Sequence, residues 1–138
     1  MIVDPPTGIY YRDDRCQDRS DDMATVAIRP PMNLALLATY AEQHGAECFV
    51  KDYSLDCKSG DWSQFKKDVV TFAPQCLLFN VTTPSVKADL LAANIAKELL
   101  KDVTTVARGV HFSLFDRKIL SDYPMLDAVI RGEFEETV

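Results

Sequence analysis

Cys76-Leu77-Leu78-Phe79-Asn80-Val81 runs directly into Thr82-Thr83-Pro84-Ser85, and that turn runs directly into the segment Val86 to Leu99. The first stretch is apolar without alternation, which suits a strand buried on both faces. In the third, Val86, Leu90, Leu91, Ile95 and Leu99 recur at helical spacing, with Lys87, Asp89, Lys97 and Glu98 between them. Pro84 suits the first helical position, with Thr83 as its N-cap. A strand, a hydroxyl-rich turn and a helix in succession make a βα unit, and repeated βα units build a parallel sheet.

The same unit recurs on either side. Downstream, Val103 to Ala107 is followed by Gly109-Val110-His111 and a short helix starting at Ser113 to Asp116 and ending before Pro124; Ala128 to Ile130 is followed by Arg131-Gly132-Glu133. Upstream, Ile2-Val3 precedes Asp4-Pro5-Pro6-Thr7-Gly8. Met32 to Gln43 reads as a helix stopped by Gly45, apolar on most faces and so expected to be buried on a sheet. Glu47 to Lys51 reads as a strand. Asp61-Trp62-Ser63-Gln64 opens a helix to about Phe72 as a capping box. The fold expected is a three-layer, Rossmann-like or flavodoxin-like α/β domain over residues 1–138. It has a five-stranded parallel sheet, of order 2-1-3-4-5 with 3-2-1-4-5 as the alternative. The stretch from Pro5 to Pro31 shows no element and far exceeds the roughly 2–6 residues usual for a βα loop. Its place at the ligand edge suggests a lid carrying Tyr10 and Tyr11.

Parallel α/β sheets bind ligands at the carboxyl ends of their strands, which is where the polar turns fall. Small, hydroxylated and glycine-bearing turns suit a large phosphate-bearing ligand rather than a hydrolytic centre. Hydroxyls and a helix N-terminus can bond phosphate or ribose, and glycine lets backbone come close to a flat ligand. The candidate binding residues are Asp4, Pro6, Thr7, Thr82, Thr83, Ser85, Gly109, His111, Gly132 and Glu133. Structural alternatives stand beside several of them. Asp4 suits a buried carboxylate bonding loop amides, Thr82 and Ser85 suit helix caps, and His111 suits loop packing. His44, at a helix C-terminus, has a structural role.

The 138 residues allow one domain with a core. Fifteen Lys and Arg stand against 21 Asp and Glu, a net charge of −6. Nucleic acid is therefore not an expected partner, because affinity for it rests on basic phosphate contacts. No apolar run approaches the roughly 20 residues of a membrane span, and no signal peptide is evident. Cys16, Cys48, Cys57 and Cys76 lack metal-ligand spacing, so a reduced, cytoplasmic protein with no metal site of its own is expected.

Asp4-Pro5-Pro6-Thr7-Gly8, Arg29-Pro30-Pro31 leading to His44-Gly45, Thr82-Thr83-Pro84-Ser85, Gly109-Val110-His111 and Arg131-Gly132-Glu133-Phe134-Glu135-Glu136-Thr137 occur in one order. In that order they resemble the N-terminal cobalamin-binding domain of cobalamin-dependent radical S-adenosylmethionine (SAM) enzymes. That family includes radical methylases and the anaerobic magnesium-protoporphyrin IX monomethyl ester cyclase. The resemblance covers essentially the whole chain. It implies a cobalamin across the strand ends, its nucleotide tail contacting Thr82, Thr83, Ser85 and Gly109. It further implies a downstream radical SAM domain in cis, holding a 4Fe-4S cluster and SAM and carrying methyl-transfer or tetrapyrrole-cyclase chemistry.

Two departures qualify what carries over. Better-known cobalamin modules place D-x-H-x-x-G after the first strand, where the His ligates cobalt; here Pro5, Pro6 and Thr7 follow Asp4. The C-x₃-C-x₂-C run of a radical SAM cluster is also absent, and the chain stops at Val138, where the family's final helix would follow. A cofactor-carrying fragment without turnover of its own is the expectation, with the sheet face beside the missing helix partly naked and prone to self-association or to capture by the Pro5–Pro31 loop. The alternatives are a flavin or other nucleotide binder and a receiver-like signalling domain. A receiver needs an acidic residue at the end of the third strand, where Asn80 and Val81 stand.

Overall fold

The computed structural model describes residues 1–8, 30–56 and 59–132. The loop read as a lid, with Tyr10, Tyr11 and Cys16, lies outside the described residues, as do Cys57 and Glu133.

Five strands form one parallel sheet in the order β2-β1-β3-β4-β5. They are β1 (Ile2–Asp4), β2 (Val50–Asp52), β3 (Cys76–Asn80), β4 (Thr104–Arg108) and β5 (Ala128–Ile130). The order is the one read from the sequence; 3-2-1-4-5 does not occur. β1 and β3 are adjacent in space, paired Ile2 to Leu78 and Val3 to Phe79. The chain runs outward from them in opposite directions, so the switch point lies between their carboxyl ends. The two central strands are the most deeply buried. The edges are not: β2 is exposed at Val50, and its ladder starts later than Glu47, with Ile2 N–H donating to the Phe49 carbonyl at 2.8 Å.

Helices cover both faces, as right-handed crossovers require. Helix α1 (Met32–Gln43) packs Leu34, Leu37 and Ala38 against Ile2, Leu78 and Ile130. On the other face lie α3 (Ser63–Phe72), α5 (Leu91–Leu99) and α6 (Phe112–Asp122). There Phe65, Val69, Ala92, Ala96, Phe112 and Ile119 surround Val3, Leu77, Phe79 and Ala107. Two single-turn helices, α2 (Tyr53–Asp56) and α4 (Val86–Asp89), complete the set.

One expectation is corrected here. The helix after β3 begins at Val86, not Pro84, and is interrupted at Leu90. Ser85, not Thr83, precedes its first turn, its carbonyl accepting the N–H groups of Ala88 and Asp89. The α1 helix lies on a sheet face as expected, with Met32 and Leu36 on its far side 71% and 52% exposed. On the α1 face of the sheet Ile2, Leu78 and Ile130 are all buried. Exposed apolar residues among those described include Met32 and Leu36 on the outer side of α1, and Val110, Leu114 and Phe115 at the start of α6.

Candidate functional site

Two polar clusters stand at the carboxyl ends of the central strands. The first joins the turns after β1 and β3. Thr7 Oγ1 donates to Asp89 Oδ1 at 2.5 Å, and Ser85 Oγ donates to Asp89 Oδ2 at 2.5 Å. The Thr82 backbone N–H reaches the same Oδ2 at 3.1 Å, and Thr82 Oγ1 lies 2.5 Å from Ser85 Oγ. All four residues are buried, Asp89 completely. This explains the late helix start: Asp89 draws Ser85 and Thr82 inward, so residues 83–85 form a turn ahead of the helix. Thr83 is left exposed on that turn.

The second cluster is a row across three strands on the α1 side. Asn80 Nδ2 donates to Asp4 Oδ1 at 2.7 Å, and Arg108 Nη1 donates to Asn80 Oδ1 at 3.1 Å. Asp4 and Asn80 are buried, and Arg108 is half-buried. The strands run on through these polar residues, past the apolar runs, because the side chains extend the pairing across the sheet. Asp4 is thus a buried carboxylate bonded to the Asn80 side chain of the neighbouring strand.

The other candidates separate. Pro6 is buried, and its carbonyl accepts the Gly60 N–H at 2.6 Å. Gly109 has φ +153°, and a Cβ there would stand 2.1 Å from the Val81 carbonyl oxygen. The need for glycine is met inside the protein, by the close approach of the turns after β3 and β4. Gly132 is exposed beyond β5, with φ +70° and open space around it.

His111 follows Gly109 and leads into α6. Its ring stacks on Phe115 at 5.0 Å between centroids and meets Phe112 edge-on at 6.0 Å. Its Nδ1 is shut off from solvent and has no hydrogen-bond partner among the described residues. Burial pushes its pKa below the ordinary value of 6.5, so the ring is neutral at neutral pH. A neutral imidazole with a shielded, unpaired nitrogen at a ligand edge fits a polar ligand group, since an unmade buried hydrogen bond is costly.

The sequence reading passed over Asn80, Asp89 and Arg108 as site residues. Asp89 sits in a polar stripe with Lys87 and reads as solvent-facing. The signal that could have found it is its position four residues after Ser85, where a carboxylate on the first helical turn reaches back to the turn's hydroxyl. Arg108 stands between an apolar run and Gly109 and reads as the first loop residue.

Comparison with known proteins agrees with this architecture. The family model of the B12 binding domain matches residues 25–138. The chain belongs to the B12-binding domain family. Among curated relatives, it is 29% identical over 111 residues to the anaerobic magnesium-protoporphyrin IX monomethyl ester cyclase of Rubrivivax gelatinosus. That match covers 79% of this chain and 20% of the relative. It is 28% identical over 108 residues to an uncharacterized methyltransferase of Pyrococcus horikoshii, covering 78% of this chain and 23% of that protein. The B12-binding domain thus spans about a fifth of the length of these relatives. No solved structure matches it.

Among the described residues of the B12-binding domain, no three His, Cys, Asp or Glu side chains come together as a metal site. No described helix is long and apolar enough to cross a membrane.

Proposed function

We propose that this B12-binding domain holds cobalamin at the carboxyl edge of its sheet, as the cofactor module of a larger radical SAM enzyme. The partner domain in cis would carry the 4Fe-4S cluster and SAM. The observation that carries the reading is that polar groups of β1, β3 and β4 converge at the switch point, beside the unpaired His111 Nδ1. Cobalamin, when bound, supplies a cobalt centre able to carry a transferable methyl group. The chain's own residues supply the seat. Asp89 fixes the turns of Thr7 and Thr82–Ser85 to one another. Gly109 lets the β4 turn lie against Val81. His111, neutral and held by Phe115, offers one nitrogen to a polar group of the ligand.

The relatives, a cyclase and a methyltransferase, support methyl-transfer or tetrapyrrole-cyclase chemistry for the larger protein. A receiver-like role has no support at β3, where Asn80 Nδ2 donates to Asp4, a bond an acidic residue could not make while ionised.

Titration with hydroxocobalamin, followed by gel filtration, tests the reading, with flavin mononucleotide as comparator. Co-elution of corrin absorbance with protein is expected, and flavin should elute free. Flavin retention without corrin retention would replace the reading with a flavin binder.

A further inference from the structure

Helix α6 buries Phe112 and Ile119 against the sheet, and later in the helix Arg117, Lys118 and Asp122 face solvent, as on any surface helix. Its first turn differs. Leu114 is 82% exposed, Phe115 46%, and Val110, just ahead of the helix, 38%. Single exposed apolar residues are normal on a protein surface, whereas three on one turn make a patch. The chain is already wound there, with the N–H groups of Phe112, Ser113 and Phe115 donating to the carbonyls of Gly109, Val110 and His111. Val110 and Leu114 therefore stand in one row at i,i+4 spacing, and His111 and Phe115 in the next. The stacked His111 ring, 5.0 Å away between centroids, braces Phe115 in that row.

Place, charge and size decide what this patch can take. α6 follows β4 after three residues, so its first turn stands at the carboxyl edge of the sheet. Side chains on a helix lean toward its N-terminus, which tilts Leu114 and Phe115 toward that edge. From Gly109 to Phe115 no side chain carries charge, His111 being neutral. The first charge beyond, Asp116, is paired with Arg131 at 3.1 Å. The three apolar side chains expose on the order of 300 Å² between them, well short of the roughly 800 Å² per partner of a stable protein interface. A second copy or another protein would need much more surface; one flat, uncharged-faced ligand would not.

We infer that Val110, Leu114 and Phe115 form the seat on which the face of the corrin macrocycle rests. The inference rests on the cobalamin reading above. A corrin is flat and largely apolar over its faces, with its charge at the central cobalt and its amides around the rim. Laid on this patch, it takes apolar surface of both partners out of water while the rim amides stay solvated. The nucleotide tail takes no part in the contact. Cobinamide, the same corrinoid without its nucleotide, therefore uses the same seat.

The experiment measures dissociation constants of hydroxocobalamin and aquated cobinamide for the 138-residue chain and for Leu114→Gln, Val110→Thr and Val70→Thr. All three substitutions are uncharged, so the charge of the cobalt does not bias the comparison. Val70, 56% exposed near the end of α3 that leads into β3, is the control away from the carboxyl edge. Leu114→Gln should weaken both corrinoids by about tenfold or more, the usual size for losing a buried leucine contact. Val110→Thr should weaken both by a smaller factor, since less of Val110 is exposed, and it carries the test if thermal unfolding shows Leu114→Gln to be misfolded. The ratio of the two affinities should stay that of the wild type, and Val70→Thr should change neither. Unchanged affinities in both patch variants overturn the inference alone. So does a loss confined to cobalamin, which would put the nucleotide tail on the patch, or self-association that Leu114→Gln abolishes without altering corrinoid binding. Binding of neither corrinoid by the wild-type chain overturns the cobalamin reading, and this inference with it.

Discussion

Asp89 has no exposed surface, and a buried carboxylate persists only where donors satisfy it. Thr7, Ser85 and the Thr82 N–H do so. Asp89→Ala should therefore lower the unfolding free energy by about 3 kcal/mol or more, since it strands several buried donors at once. Thr7→Val should lower it by about 1–2 kcal/mol, because one charge-assisted bond is lost and the others remain. Urea unfolding measures both, and equal effects would show that Asp89 does not organise the cluster. His111 gives a pH test. Its folded-state pKa lies below the ordinary 6.5, so as pH falls the unfolded chain takes up the proton first. Stability is kept above 6.5 and declines as pH drops from there toward the depressed value. His111→Phe should flatten the profile in that window. The acid limb lower down should remain. Burial tends to raise Asp68 and Asp127, but bonds from Tyr53, Gln64 and Lys51 to the first, and from Lys97 and Thr105 to the second, hold both below the ordinary 3.8. Their contribution is present above that value and is lost as pH falls through the depressed ones. At this scale the sequence was partly legible. Thr7, Thr82 and Ser85 stood out by type and place, but the group that binds them together did not, because one acidic residue on a helix looks alike whether it faces water or hydroxyls.

Among the elements, the helices were read best where a stop is written in the chain. α1 runs from Met32 to Gln43 with Gly45 beyond it at φ +90°. At α3 the capping box expected over Asp61 to Gln64 is corrected: Trp62 precedes the helix without a side-chain cap bond, Asp61 accepts the Ser63 N–H at 3.0 Å, and Gln64 Nε2 donates to Asp68. The start after β3 was misread because local cap preference favoured Thr83 and Pro84, whereas a buried contact to Asp89 decided it. The strand ends were read short at Asp4 and Arg108 because polarity looks like loop. The Asn80 row shows why these residues pair instead. Two glycines at the site test whether geometry or packing demands them. Gly109→Ala combines a positive φ with a methyl 2.1 Å from the Val81 oxygen, so the β3 and β4 turns must separate. Gly132→Ala has a positive φ with nothing near, and should cost about 1–2 kcal/mol from backbone conformation alone. Thermal unfolding should show a clearly larger loss at Gly109, with corrinoid binding lost alongside. Equal losses would mean that the turns have room to yield.

For the whole molecule, strand order and helix placement were legible because βα units and right-handed crossovers leave few arrangements open. Which polar groups would meet at the switch point was not, since that depends on contacts between residues as far apart as Thr7 and Asp89. The assembled edge bears on how cobalt would be ligated. In the turn after β1, nearest the switch point, Pro6 is buried with its carbonyl on Gly60, and the Thr7 hydroxyl is committed to Asp89. Neither can serve as imidazole does. His111, the one histidine at this edge among the described residues, is held over α6 by Phe115 and Phe112. Bound cobalamin should then have no histidine on its lower face and should keep its benzimidazole away from cobalt, leaving the metal four- or five-coordinate with at most a water. That coordination suits a methyl group held for transfer. Electron paramagnetic resonance of the reduced Co(II) form checks it, because an axial nitrogen splits each cobalt line into a triplet. Unsplit lines are expected. Triplets that vanish in His111→Ala would make His111 the ligand, and triplets that persist in that variant would mean that the tail's own base has returned to cobalt.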